Sequence, residues 1–103
     1  MNHYDLLHGI TNSLWYNLES EDLITIYKAM IARIKHAGYD QTVLQDENLN
    51  FIVDIMFGII VTIYGDYGTS PRFGWIEDDN VKDEIISDLE EEIKLCKNRR
   101  DFE

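Results

Sequence analysis

Apolar residues recur at three- and four-residue intervals along most of the chain, and this pattern divides it into four segments. Leu6, Leu7, Ile10, Leu14 and Leu18 keep the spacing that places side chains on one face of an α-helix, predicting a first amphipathic helix over residues 3–18. Gly9 and the cluster Thr11-Asn12-Ser13 favour irregular backbone and allow a break within it. The second segment has clearer ends. Ser20 is a good N-cap, Glu21 and Asp22 suit the positive start of a helix, and Gly38 offers a left-handed stop. Between them Leu23, Tyr27, Met30, Ile31 and Ile34 form an apolar stripe, with Lys28, Arg33, Lys35 and His36 towards the negative end.

Residues 39–48 are a polar connection with room for a helical turn at Thr42–Gln45. From Leu49 to Tyr64 almost every position is apolar, as in a buried central helix or a buried strand. The β-branched residues favour strand. Sixteen residues without a turn signal are long for a strand, which favours helix. Gly58 would let a neighbouring helix approach closely. The last segment runs from Asp79 to about Lys97, with Val81, Ile85, Ile86, Leu89, Ile93 and Cys96 as its stripe. Eight acids occupy or immediately precede its other faces, and Lys94, Lys97, Arg99 and Arg100 lie near its C-terminal end, which matches the helix dipole. The expected fold is therefore all-α: one domain over residues 1–103, a compact four-helix bundle with an apolar, central third helix.

Charge narrows the choice of partner. Twenty acidic residues against nine basic ones give a formal charge of −11. Nucleic acids and anionic membranes are bound mainly through Lys and Arg, so neither is expected as a direct partner. A basic protein surface is favoured, although acidity also serves solubility. The single cysteine, Cys96, excludes an intrachain disulfide and a CxxC metal site. Met1-Asn2-His3-Tyr4-Asp5 lacks the basic start of a secretory signal, and the longest uncharged apolar run, Ile55–Gly65, is eleven residues, short for a membrane span. Cytoplasmic residence is the expectation. Fourteen isoleucines against three alanines suggest an AT-rich bacterial or phage genome.

The segment Tyr64–Trp75 stands apart. It holds three of the six glycines, the one proline and four of the twelve aromatic residues, combining turn chemistry with the residue types that dominate binding hot spots. An ordered loop before the last helix is expected, with Tyr64, Asp66, Tyr67, Arg72, Phe73 and Trp75 as candidate partner-binding residues. Packing of Tyr67, Phe73 and Trp75 over the end of the third helix is the competing role. The loop lacks the spacing and the lysine of a phosphate-binding P-loop.

Other chemistry is sparse. His3, Asp5 and His8 do not share one helix face, and Asp78, Asp79 and Asp83 read as a solvated helix start, so no metal and no cofactor are expected. No serine or cysteine has a base tied to it by a motif. Asp54 is the one ionisable group within the apolar third segment. It is expected to be a buried structural charge paired with Arg33 or Arg72, because a lone buried carboxylate is costly. The leading functional expectation is a non-enzymatic protein-binding module: a small inhibitor or toxin-neutralising immunity protein acting on a basic partner. The alternatives are a homodimeric structural or regulatory protein, and a small enzyme using the 64–75 loop with Asp54.

Overall fold

The computed structural model describes residues 2–36, 44–64 and 79–102. Every regular element among them is a helix: α1 (His3–Trp15), α2 (Ser20–His36), α3 (Glu47–Tyr64) and α4 (Asp79–Phe102). The protein is a compact, all-α four-helix bundle. The connection 37–43 and most of the aromatic loop, residues 65–78, lie outside the described residues, and with them Gly38, Asp66, Tyr67, Arg72, Phe73 and Trp75.

Local chemistry explains where the helices start. The Asn2 side chain accepts from the Asp5 N–H at 2.8 Å, capping α1 and satisfying one of its free amide donors. Asp46 does the same for α3, accepting from the N–H groups of Asn48 at 2.9 Å and Leu49 at 3.1 Å. Helix α3 therefore begins at Glu47, two residues ahead of the apolar run. In α2 the Glu19 carbonyl accepts from the Leu23 N–H, so Ser20 stands as the first helical residue rather than as the cap. Helix α1 runs unbroken through Gly9 and the Thr-Asn-Ser cluster and stops at Trp15, three residues short of the predicted end.

Leu7, Leu23, Ile26, Tyr27, Met30, Val53, Met56, Ile60, Ile85 and Leu89 are among the residues that fill the core. Helices α2 and α4 pack most extensively, and α3 closely approaches all three others. Two features depart from the sequence pattern. In α1 the buried residues are Leu7 and Thr11, while Leu6 and Leu14 are exposed; the inward face is turned towards polar side chains that answer α4. In α3 the outer strip of Phe51, Asp54, Gly58 and Thr62 faces solvent. A Cβ placed on Gly58 would meet nothing within 4 Å, so no helix approaches there. By length and composition α3 would also pass for a membrane span, unlike its eleven-residue uncharged run; its buried side chains instead pack within the bundle.

Candidate functional site

The most elaborate polar arrangement lies between α1 and α4. Glu84, Asp88 and Glu92 are spaced by four residues on α4, so helical geometry aligns them along one face. Each receives a partner. His3 Nδ1 lies 2.9 Å from Glu84, the Tyr64 hydroxyl donates to Asp88 at 2.8 Å, and His8 Nδ1 lies 2.7 Å from Glu92. Tyr4 stacks on His8 with ring centroids 6.0 Å apart, and Glu92 is among the acids that act on its hydroxyl. His3 in turn meets the edge of the Tyr64 ring at 4.9 Å. Because the α1 and α4 backbones do not approach closely, long side chains bridge the gap.

Burial and surrounding charge act on this seam in the same direction. Burial, then the negative charges of Glu92 and Glu91, push the Tyr4 hydroxyl up to about 12. Burial raises Tyr64 still further, helped by its hydrogen bond to Asp88. Burial also raises the Asp88 carboxyl, with Glu84 adding to the rise, while the Tyr64 hydrogen bond and His3 oppose it. Both tyrosines are thereby held neutral, and Tyr64 donates to Asp88 in that form.

A cleft of about 290 Å³ opens beside this seam, between α1, α2 and α4. Trp15, Tyr16, Tyr27 and Leu95 line it, and Glu92 and His8 supply its charged and polar wall. The Trp15 Nε1 donates to the Met56 sulfur at 2.8 Å, which pins the indole to α3. Cys96, buried at the cleft floor, keeps its place in the apolar stripe. Among the described residues no cluster of three or more His, Cys, Asp or Glu side chains is arranged to hold a metal ion.

The residues singled out in the sequence are distributed differently. Tyr64 is inside the molecule, 2% exposed, so its ring packs within the fold and is not presented as a surface anchor. Asp54 does pair with Arg33, whose Nη1 donates to Oδ1 at 2.8 Å. The burial is the reverse of expectation: the arginine side chain is 3% exposed and the aspartate 53%. Arg33 also lies over the Phe57 ring, 5.7 Å from its centroid. Asp54 is on the solvent strip of α3 and does not line the cleft. The α1–α4 seam was missed because its partners are 81 and 84 residues apart. The available signal was the i, i+4, i+8 run of acids on α4 opposite Tyr4 and His8, an i, i+4 pair on α1.

Comparison with protein-family models, with curated proteins and with solved structures found no match.

Proposed function

We propose that the protein is a non-enzymatic protein-binding module, a small bacterial or phage inhibitor or toxin-neutralising immunity protein that engages a basic partner surface. The observation that carries this reading is the division of acids on α4. Glu84, Asp88 and Glu92 answer side chains of α1 and α3. Asp79, Asp83 and Glu90, at a spacing of four and seven residues, form a separate exposed strip. With a formal charge of −11, such a strip attracts a basic surface and accelerates encounter with it. Asp66, Tyr67, Arg72, Phe73 and Trp75 remain the proposed anchors on sequence grounds, and Tyr64 leaves that set.

The test is affinity capture from the source cells at low and high salt, followed by binding measurements with the purified partner. The expected result is a stoichiometric, salt-sensitive complex with one basic protein, weakened when Asp79→Asn, Asp83→Asn and Glu90→Gln are combined. A partner retained equally by this variant, or no stoichiometric partner, overturns the reading. A concentration-independent dimer in sedimentation would instead favour self-assembly.

A further inference from the structure

We propose that the cleft between α1, α2 and α4 binds a small organic ammonium, with the charged nitrogen at Glu92 and the carbon skeleton against Trp15, Tyr16 and Leu95. Glu92 is the focus: its side chain is 5% exposed and forms part of the cleft wall. A carboxylate taken out of water needs donors or a counter-charge. His8 supplies one hydrogen-bonding partner at 2.7 Å, while a carboxylate has about four acceptor positions, so capacity remains for a ligand N–H.

The surrounding chemistry sets the sign of that ligand. Trp15, Tyr16 and Tyr27 bring three aromatic rings to the same cleft, and a carboxylate combined with aromatic faces is the composition that holds organic cations. Among the described residues the lining holds no lysine or arginine, and His8 is its one basic side chain. The chain's formal charge of −11 adds a field that concentrates cations in a cleft with low-dielectric walls. A volume of about 290 Å³ is at the small end of ligand sites. It suits an amine with one ring or a short chain rather than a nucleotide.

An ammonium of this kind has two sources, a free amine or the lysine side chain of a protein. Titration calorimetry on the full chain separates them with 2-phenylethylammonium, Nα-acetyl-lysine N-methylamide, neutral 2-phenylethanol and anionic 3-phenylpropionate. Saturable one-to-one binding is expected for an ammonium probe, with the alcohol at least about tenfold weaker and no binding of the acid. Tighter binding of phenylethylammonium assigns the site to a free amine; tighter binding of the lysine derivative assigns it to a protein side chain. Glu92→Gln is expected to erase the preference for ammonium over alcohol. Should that variant fail to fold, Tyr16→Ala serves in its place, because Tyr16 is exposed; it is expected to weaken the ammonium about threefold or more with the melting temperature unchanged.

Backbone amide shifts at Thr11, Asn12 and Leu95 locate the bound ligand. Equal affinity for ammonium and alcohol, no saturable binding of either ammonium, or shifts confined to other surfaces overturns the proposal. The inference is independent of the outer α4 strip, so the Asp79→Asn, Asp83→Asn, Glu90→Gln variant is expected to keep amine affinity within about twofold.

Discussion

Two of the ion pairs that link helices of this bundle are built in opposite senses. Between α2 and α3 the buried member is the cation: Arg33 is sealed in and Asp54 answers from the surface. Between α1 and α4 the buried member is the carboxyl group: Glu92 is 5% exposed, on the wall of the cleft, and His8 answers from a half-exposed position. The guanidinium presents its donors in a rigid planar fork, and the Phe57 ring gives it a second favourable neighbour. Glu92 instead is met by the single Nδ1 of the half-exposed His8 and borders the cleft. The first pair is therefore a fixed tie. The second is an adjustable one beside a cleft, and this difference separates the structural pair from the one at the proposed ligand site.

The largest expected effect comes from removing the exposed member of the fixed tie. Asp54→Ala leaves Arg33 buried without its carboxylate and should lower stability by about 1–3 kcal/mol, less than for a fully buried pair because water reaches this site. The urea midpoint measures it, and an unchanged midpoint would show that the other contacts of the guanidinium suffice without the Asp54 carboxylate. At the adjustable tie His8→Ala should cost about 1 kcal/mol, since Glu92 borders the cleft and water can take the place of the imidazole. Combining it with Tyr4→Phe should cost more than the sum of the two single changes; simple additivity would mean that the hydroxyl and the imidazole do not share Glu92.

Alkaline titration sharpens the contrast further. The neutral form of Tyr4 is favoured in the fold, with its hydroxyl raised from 10.0 to about 12. Its contribution is therefore fully present below pH 10 and lost as pH rises through about 12. Tyrosinate absorbance should show a late-titrating phase that Tyr4→Phe removes, and stability should fall over the same interval. The smallest effect is expected for Arg33→Met, which removes the buried charge and keeps apolar volume, while Asp54 returns to water. A change within about 1 kcal/mol is expected from thermal unfolding. A loss larger than that of Asp54→Ala would reverse the assignment of which member carries the cost.

The helices were legible in the sequence where one side of a segment is apolar and its ends carry specific residues. The buried stripes of α2 and α4 follow the periodic positions, with Leu23, Tyr27, Met30, Ile34, Ile85, Leu89, Ile93 and Cys96 all buried. Local patterning served α1 less well, because Leu6 and Leu14 satisfy the helical spacing yet face outwards. The inward face of α1 carries Tyr4, His8 and Thr11 beside Leu7, and polar residues are read as solvent-facing unless their partners are known. Those partners, Glu84 and Glu92, are on the last helix, and they look like ordinary surface acids in sequence. The Arg33–Asp54 pairing was legible from the cost of charge within an apolar segment. Which member would be buried depends on how α3 rotates in the bundle, and its composition is too uniformly apolar to show that.

The joining of α1 to α4 also orders events in time. His3 and His8 meet partners 81 and 84 residues further along, and closing so long a segment carries an entropic cost that short-range contacts avoid. Helices α2 and α3 can associate first, and α1 gains its polar partners only when α4 arrives. During synthesis at about 5–20 residues per second, the wait for those acids is roughly 4–17 s. Through that interval α1 can pack on α3 but lacks the acids that answer His3 and His8, so a nascent chain stalled before Glu84 should hold α1 loosely and expose it to chaperones. Release should follow when the acids emerge.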